Sequence, residues 1–298
     1  MMGLNNQTIN FYSKHPKIWK LAHNRQIEIS HKALIMAIIN VTPDSFSDGN
    51  QHFTTQKAVN HALRCLKEGA DIIDIGGEST RPGAIPITPL EEQKRILPVI
   101  KELLRHPKAI ISVDTYHFQT AKLAIKAGAH IINDVCGLQQ NPQMAQTIAS
   151  LNAGVCIMHT GRNRKKLSNA LQDQFYFLNH SLEIAKQAQI ATEAIVIDPG
   201  FGFEKNIDEN FDIIKEFEQL TKMELPILVG LSRKRFLKAI IPTENFLQVE
   251  SLDAITATAN FLLRTKGASI FRVHNVKMNK NSLLLADTLM KKIQILLS

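Results

Sequence analysis

Residues 126–133 read Lys-Ala-Gly-Ala-His-Ile-Ile-Asn, a sequence typical of a helix end that runs directly into a short apolar strand. Glycine just past a helix end supplies the left-handed cap, and lysine beside that end complements the helix dipole. Residues 67–73 and 265–271 repeat the pattern, with Gly69 and Gly267 in the glycine position. The repeat predicts a chain built from successive helix–strand units.

Eight apolar runs have the length of strands, and helical patterns lie between them. The predicted strands cover residues 33–39, 71–75, 109–113, 130–133, 154–158, 194–198, 226–230 and 269–273. The predicted helices cover residues 56–68, 90–104, 116–127, 142–151, 168–188, 208–220, 251–265 and 280–296. Such alternation indicates an α/β protein with a parallel sheet covered on both faces. Because reactive residues end nearly every strand, we favour a (β/α)8 TIM barrel over an open doubly wound sheet.

No linker-like stretch interrupts the repeat, so residues 17–298 are predicted to form a single barrel domain. Residues 1–16 are predicted to be an N-terminal arm. Two short runs, 18–21 and 26–30, flank a turn-like Asn-Arg pair ahead of the first barrel strand. They predict a hairpin that closes the mouth of the barrel opposite the reactive strand ends.

The 298 residues are 44% hydrophobic and 21% charged, as in an ordinary soluble globule. The formal net charge of +8 suits an anionic ligand and equally suits plain solubility. No zinc-finger, homeodomain or RNP-type pattern occurs, which argues against nucleic acid as a partner. The longest apolar run is too short to cross a bilayer, and residues 1–30 lack a signal-peptide core, so we expect no membrane association.

The three cysteines, Cys65, Cys136 and Cys156, are odd in number and have no metal-ligand spacing. We expect free thiols in a cytoplasmic protein. Residues 1–30 contain several basic residues and could be a transit peptide, but arginine and serine are sparse there. An N-terminal arm is therefore the favoured interpretation.

Polar side chains end most predicted strands, and in a parallel barrel such residues meet at one rim. They are Asn40, Asp114, Asn133, His159, Asp198, Ser232 and His274. Any one carboxylate there could merely cap the next helix. Asp114, Asn133 and Asp198 together offer acceptors and one amide donor to a flat heterocycle rich in N–H groups. His159 has no triad or metal-ligand partner in the sequence and is expected to be structural.

Two loops near the rim carry groups suited to a ligand. Residues 40–49 (NVTPDSFSDG) are rich in turn formers but fail as a calcium loop, because Phe46 occupies a ligand position and residue 55 is threonine. We expect this loop to be a mobile lid. Residues 76–83 (GGESTRPG) could bring backbone groups and Arg81 to an anion, or could be a solvated turn.

Basic residues follow the last two strands, where TIM barrels often hold phosphate. Residues 230–235 (GLSRKR) and 272–275 (RVHN) offer arginine forks and a lysine point charge, although ordinary surface loops are the alternative. Residues 198–203 (DPGFGF) contain Gly-x-Gly, but Lys205 replaces the third glycine of a dinucleotide fingerprint, which disfavours NAD. Phe203 could be a core residue or a ligand wall.

In this order, the motifs NVTPDSFSDG, GGESTRPG, SVDT, IINDV, MH, DPGFGF, SRK and RVH resemble those of the dihydropteroate synthase family, over roughly residues 17–296. The resemblance implies a (β/α)8 barrel, usually a homodimer, that acts in folate synthesis with magnesium. Its reaction joins 6-hydroxymethyl-7,8-dihydropterin diphosphate to 4-aminobenzoate and releases pyrophosphate. The resemblance also implies a sulfonamide target.

The resemblance assigns roles to individual residues. The pterin would contact Asp114, Asn133, Met158, Asp198 and Lys234. The diphosphate would contact Asn40, Arg272 and His274, and Asn40 would also place the magnesium ion. The 4-aminobenzoate site would be bordered by Phe46, Thr80, Pro82, Phe203 and Lys234. Catalysis would depend on Asp114, Lys234, and Asp48 and Arg81 from the two loops that close over the reaction.

Three features depart from the family pattern. Asn275 stands where an aspartate commonly follows the histidine of RVH. Residues 160–166 (TGRNRKK) replace a Gly-x-Pro-like segment after His159, so no role is carried over to that loop. Arg235 stands in place of a serine after the lysine of SRK, which leaves the partner of the 4-aminobenzoate carboxylate undefined.

The implied chemistry breaks the C–O bond at the exocyclic carbon of the pterin. Arg272, His274 and magnesium would stabilise charge on the leaving diphosphate, and Asp114 would support the electron-rich pterin. An aromatic amine is neutral at pH 7, so the protein mainly positions it.

Three other functions compete with this one. A methyltransferase acting on methyltetrahydrofolate would share the pterin frame but lack the ESTRPG loop and the SRK lysine. A catalytically silent relative is favoured by Asn275 and the altered loop, and opposed by intact Asn40, Asp114, Arg272 and His274. A generic phosphate-binding barrel is a more distant alternative.

Overall fold

A computed structural model describes residues 17–42, 51–79, 84–241 and 249–297 of the chain. The strands are β1 (Lys17–Leu21), β2 (Arg25–Ile29), β3 (Leu34–Asn40), β4 (Ile72–Gly76), β5 (Ile110–Asp114), β6 (Ile131–Asp134), β7 (Gly154–Met158), β8 (Ile195–Asp198), β9 (Leu228–Val229) and β10 (Ile270–Val273). The helices are α1 (Gln51–Glu68), α2 (Pro89–Leu103), α3 (Phe118–Lys126), α4 (Pro142–Ser150), α5 (Ala170–Gln187), α6 (Ile207–Lys215), α7 (Arg235–Lys238), α8 (Val249–Thr265) and α9 (Val276–Leu297). Short 3-10 turns cover Thr192–Ala194 and Phe217–Met223.

Strands β3 to β10 form one parallel sheet in the order β8-β7-β6-β5-β4-β3-β10-β9. A parallel bridge between Ile197 of β8 and Ile227, just before β9, joins the two ends of this sheet. Helices connect successive strands around the outside. The predicted (β/α)8 TIM barrel is thus confirmed, and all eight barrel strands point their carboxyl ends to the same mouth.

The helix ends carry capping residues. Thr88 caps α2 by accepting a hydrogen bond from the Glu91 backbone N–H at 3.2 Å, with Pro89 as the first helical residue. The repeated cap glycines Gly69, Gly128 and Gly267 have φ values of +109°, +111° and +107°, a region that L side chains rarely adopt. These caps turn the chain from each helix directly into the next buried strand.

The interior of the barrel changes character along its axis. Every second residue of a strand shares one face. Near the amino ends of the strands the inward positions are apolar, and the buried cluster comprises Leu34, Met36, Ile72, Ile110, Ile131, Cys156, Val196, Leu228 and Ile270 together with Trp19, Leu21 and Ile29. Two residues further along, the same faces carry the polar residues Asp74, Ser112, Asn133, Asp198 and Arg272. A dry apolar layer therefore supports a polar layer directly above it.

The antiparallel hairpin of β1 and β2 closes the amino-terminal mouth, as the sequence predicted. Trp19 is 1% exposed and packs against the apolar layer. Its indole Nε1–H donates to the Ala194 carbonyl at 2.9 Å, and the Ala22 N–H donates to the His130 carbonyl at 3.2 Å. The hairpin is thus fastened to two sides of the barrel. None of the helices in the described ranges has the length and hydrophobicity that a transmembrane span requires.

Candidate active site

A buried ion network lies inside the carboxyl-terminal mouth. Arg272 of β10 donates from Nε to Asp74 Oδ2 and from Nη2 to Asp114 Oδ2, each at 2.6 Å. Asn133 of β6 donates from Nδ2 to the same Asp74 oxygen at 3.3 Å. Asp74 is fully buried, and the Arg272 side chain is only 18% exposed. One guanidinium thus ties β10 to β4 and β5 across the barrel.

The network leaves hydrogen-bond acceptors over. Asp74 Oδ1, Asp114 Oδ1 and Asn133 Oδ1 are buried and have no hydrogen-bond partner within the described part of the chain. A buried polar atom without a partner costs about 1–3 kcal/mol. Acceptors of this kind gathered at one mouth indicate a ligand that brings its own N–H donors.

Asp198 of β8 faces the same space. Its Oδ1 accepts a hydrogen bond from the Gly200 N–H at 2.7 Å. A Cβ built on Gly230 would lie 3.5 Å from Asp198 Oδ2 and 3.9 Å from Arg272 Cβ. Asp198 and Arg272 therefore converge on the backbone of Gly230, where the lack of a side chain keeps the mouth open.

Burial dominates the protonation of these groups. It raises the pKa of Asp114 to about 6, against the attraction of Arg272. It also raises the pKa of Asp198 to about 6, against the Gly200 N–H and Lys234. Burial and the nearby Arg272 lower the pKa of Lys234 to about 8. Burial works against the Arg272 cation, but Asp74 and Asp114 hold its pKa above the ordinary value.

An apolar wall borders the network. Val135, Met158 and Phe203 form a small buried cluster beside the polar layer. Lys234 Nζ lies 4.1 Å from the centre of the Phe203 ring, a cation–π contact. Lys205 donates to the Gly200 carbonyl at 2.8 Å and to the Phe203 carbonyl at 3.4 Å, and so holds the DPGFGF loop. Met158 and Phe203, predicted as ligand-lining residues, lie together at this wall.

Asn40 and His274 also lie at this mouth. A Cβ on Gly76 would lie 3.8 Å from Asn40 Oδ1 and 3.7 Å from Asp114 Cβ, so the Asn40 amide stands next to the network. His274 Nδ1 lies 2.9 Å from Ser232 Oγ, which fixes the orientation of the ring. Strand β10 pairs with β3, so Asn40 and Arg272 come from adjacent strands, and His274 directly follows β10.

The structure thus gathers most of the predicted site residues in one mouth. They are Asn40, Asp114, Asn133, Met158, Asp198, Phe203, Lys234, Arg272 and His274. The predicted Phe46, Asp48, Thr80, Arg81 and Pro82 lie outside the described residues. Sequence reasoning missed Asp74, which is the partner of Arg272. Its signal was a single acid inside an apolar strand, two residues before Gly76 and on the same face.

The departure from the family pattern at Asn275 has a structural role. Asn275 Oδ1 accepts from the Met278 N–H at 3.1 Å at the start of α9, and its Nδ2 donates to Asp253 Oδ2 at 3.0 Å. Arg233 already holds Asp253 with two bonds of 2.7 and 2.9 Å. An aspartate at 275 would place a second carboxylate against Asp253, so the amide suits this chain. The third departure, the side chain of Arg235, is exposed.

His159 is structural, as expected from the sequence. It is 1% exposed, and its Nε2 lies 3.0 Å from Asp173 Oδ2. Burial lowers its pKa to about 4, which keeps the ring neutral. The residue therefore supports α5 and the loop after β7 rather than reaching the network around Arg272.

A magnesium ion at this mouth would be held by few protein atoms. Among the described residues no group of three or more His, Cys, Asp or Glu side chains could hold a metal ion. Magnesium in phosphate sites commonly keeps several waters and is held by few protein oxygens plus the phosphates themselves. The amide oxygen of Asn40, at the carboxyl end of β3 and near Asp114, is compatible with that mode.

Comparisons with known proteins agree with this geometry. A family model described as pterin binding enzyme matches residues 36–274. The dihydropteroate synthase of Bacillus subtilis is 38% identical over 277 residues, which cover 92% of this chain and 95% of that protein. The crystal structure of dihydropteroate synthase from Clostridium difficile, determined in the presence of pteroic acid, is 36% identical with a TM-score of 0.83 and covers 87% of this chain and 97% of that one.

A second solved structure, Xanthomonas albilineans dihydropteroate synthase with 4-aminobenzoic acid, is 35% identical with a TM-score of 0.84. It covers 91% of this chain and 98% of that one. The family model spans most of the barrel, and these relatives are matched over nearly their whole length. The chain therefore belongs to the dihydropteroate synthase family of pterin-binding enzymes.

Proposed function

We propose that this chain condenses 6-hydroxymethyl-7,8-dihydropterin diphosphate with 4-aminobenzoate to give 7,8-dihydropteroate and pyrophosphate. The observation that carries the proposal is the placement of buried acceptors on Asp114, Asn133 and Asp198 around one guanidinium, Arg272. The acceptors suit the N–H edge of a pterin, and the guanidinium suits the diphosphate that leaves from it. Family membership supports the same reaction.

The pterin would lie against the apolar wall with its N–H edge turned to the network. Asp114 Oδ1 and Asn133 Oδ1 are the buried acceptors that a ligand can satisfy. Met158 and Val135 supply the flat apolar contact. Lys234, next to Phe203, would donate to a ring acceptor. The ring would thereby gain charge-assisted hydrogen bonds that water no longer competes for.

The leaving diphosphate would lie between Arg272, His274 and Asn40. Arg272 offers a planar fork of N–H donors, which stabilises negative charge that grows as the C–O bond breaks. Ser232 holds the His274 ring in place for the same anion. Magnesium, when bound through Asn40 and phosphate oxygens, would neutralise further charge on the diphosphate.

The second substrate would enter over Phe203 and Lys234. We propose that Phe46, Thr80 and Pro82 complete its site and that Asp48 and Arg81 belong to the loops that close over the reaction. No general base is required, because the attacking aromatic amine is neutral. Holding that amine in line with the exocyclic carbon supplies the remaining catalysis.

A coupled assay for pyrophosphate tests the proposed function. We expect release only when the pterin diphosphate and 4-aminobenzoate are both present, with loss of most activity when EDTA removes magnesium. Mass spectrometry of the product should show dihydropteroate. A protein that binds the pterin diphosphate but releases no pyrophosphate would instead be a silent relative, and the proposal would be wrong.

The pH dependence of kcat/KM for the pterin diphosphate should be bell-shaped. Asp114 and Asp198 must be carboxylates to accept from the pterin, and their pKa values of about 6 place the acidic limb there, with activity falling as the pH drops. Lys234 must be charged, and its pKa of about 8 places the basic limb. A profile that stays flat from pH 5 to pH 9 would contradict these assignments.

We also propose that the enzyme is a homodimer. Helices α8 and α9 pack on each other, and α9 exposes large apolar side chains at Leu285, Leu289 and Leu296, which are 55%, 41% and 84% exposed. Their spacing places them on one side of the helix, as in a face that packs against a partner. Light scattering should give about twice the chain mass of 33.4 kDa.

We propose a cytoplasmic location for the protein. The three cysteines of the chain are free thiols, which suits a reducing compartment.

A further inference from the structure

The loop at residues 160–166 is held firmly, although it departs from the family pattern. Arg164 binds Asp173 through Nη1 at 2.9 Å and Nη2 at 2.5 Å, and its Nε donates to the Thr160 carbonyl at 2.7 Å. Lys166 Nζ contacts both carboxylate oxygens of Glu209, at 2.7 and 2.8 Å. Two of the basic side chains in this loop thus serve to fix its shape.

The start of the loop is fastened to the DPGFGF segment. The Gly161 N–H donates to the Phe203 carbonyl at 3.2 Å. A Cβ on Gly161 would lie 2.7 Å from Lys166 Cδ and 2.9 Å from the Glu204 carbonyl, so the two segments touch with no room for a side chain. The residue that follows Gly161 is consequently positioned relative to Phe203.

That residue is Arg162, and it points at the ring. Its guanidinium carbon lies 4.7 Å from the centre of the Phe203 ring, and Lys234 Nζ lies 4.1 Å from the same centre. The positive charge of Arg162 is among the causes that lower the pKa of Lys234. A guanidinium held against an aromatic face keeps its N–H donors at its planar edge, where a carboxylate can bind. Two cations that share one buried ring form an attractive position for an anion.

Arg162 also lines a cavity of about 600 Å³ at the mouth. Its wall includes Glu78, Tyr116, Val135 and Thr160. Val135 belongs to the apolar cluster with Met158 and Phe203, so the cavity adjoins the wall assigned to the pterin. A ligand that extends outward from the pterin site along Phe203 therefore meets Arg162.

We propose that Arg162 binds the carboxylate of the aromatic amine substrate and sets the preference for 4-aminobenzoate over uncharged anilines. The inference rests on the proposed function. The contact with Arg162 would replace the one that the family pattern gives to a serine at position 235. In this chain residue 235 is an exposed arginine at the start of the four-residue helix α7. The carboxylate would lie between Arg162 and Lys234, beside Phe203, with the amine turned inward to the pterin.

The loop provides a matched pair of variants. Arg162→Gln and Lys165→Gln each remove one positive charge from the same loop, but Lys165 is exposed and its side chain lies outside the contacts described above. Arg162→Gln should raise KM for 4-aminobenzoate about tenfold or more, with KM for the pterin diphosphate and kcat changed less than about threefold. Lys165→Gln should leave all three within about twofold. A higher KM for the pterin diphosphate instead would overturn the proposal.

A comparison with 4-aminobenzamide separates carboxylate binding from a general loss of loop structure. The native enzyme should prefer 4-aminobenzoate over the amide by about tenfold or more in kcat/KM, and Arg162→Gln should abolish most of that preference. Arg162→Lys should keep part of it. If the native enzyme is active and its Arg162→Gln form discriminates equally well between 4-aminobenzoate and the amide, this inference alone is wrong. A native enzyme that releases no pyrophosphate would sink the proposed function itself.

Discussion

Replacing Arg272 with glutamine is expected to lower kcat by about 10²–10³-fold, the usual effect of removing one preorganised donor from a developing anion. Arg272 is the only arginine among the described residues that bonds both Asp74 and Asp114. Glutamine retains some of the length but neither the charge nor the fork. The kinetic loss should appear in the pyrophosphate assay at saturating concentrations of both substrates.

The same variant should also be less stable. Asp74 is fully buried, and without Arg272 it keeps only Asn133 as a partner. Breaking a buried ion pair from one side costs about 3–5 kcal/mol. The double variant Asp74→Asn/Arg272→Gln removes the orphan charge at Asp74 but leaves Asp114 without Arg272. Urea unfolding should therefore return part of the lost stability, while kcat stays low. If the double variant regained activity, Arg272 would act only as a counter-ion for Asp74.

Replacing Asp114 with asparagine should lower kcat/KM for the pterin diphosphate by about 10²-fold or more. A hydrogen bond to a charged group contributes about 1.5–3 kcal/mol. In the proposed binding mode the carboxylate would present its Oδ1 to the pterin while Arg272 occupies Oδ2. Asparagine fills the same space but brings an NH₂ group that opposes the N–H donors of the pterin. Isothermal titration with the pterin diphosphate, without the second substrate, measures this loss directly.

Asp134→Asn is the matched control. Asp134 also ends a strand of the barrel and is 1% exposed, but its oxygens accept from the backbone N–H groups of Cys136 and Leu138 at 2.9 and 2.7 Å. We expect it to lower the thermal midpoint and to change affinity for the pterin diphosphate by less than about threefold. Equal losses of affinity in both variants would show that Asp114 acts through folding.

The barrel could be predicted because its signals are local. Each strand is a short apolar run, and each cap glycine marks the turn from helix to strand, as at Gly128. The boundaries moved where periodicity was weak. Helix α1 begins at Gln51 rather than residue 56, because residues 51–55 contain no apolar repeat that would reveal the first turn.

The sequence predicts those residues of the candidate site that stand at the ends of strands. Asp114 and Asp198 end their strands, where the sequence pattern points to site residues. Asp74 lies two residues before the end of β4 and looks like part of an apolar run. Lys205 was considered only as a missing glycine, yet it holds the carbonyl of Gly200. The Asp74–Arg272 pairing joins residues 198 positions apart in the chain, so no local pattern contains it.

The loop at residues 160–166 illustrates the other limit. Its composition suggested only an excess of positive charge, and the family resemblance ended there. Asp173 and Glu209, which fix Arg164 and Lys166, lie 9 and 43 residues away in the chain. Only the folded chain reveals that two of these charges brace the loop and that Arg162 faces Phe203.

Trp19 and its hairpin have a consequence for the route and the order in which substrates would reach the site. Because the hairpin closes the amino-terminal end of the barrel, the carboxyl-terminal mouth is the end through which substrates would enter, within the part of the chain that the structure describes. In the proposed binding mode a pterin at Asp114 would lie beneath an aniline at Phe203, so the pterin would have to bind first. A ligand bound tightly at the outer position would then block the release of the pterin beneath it.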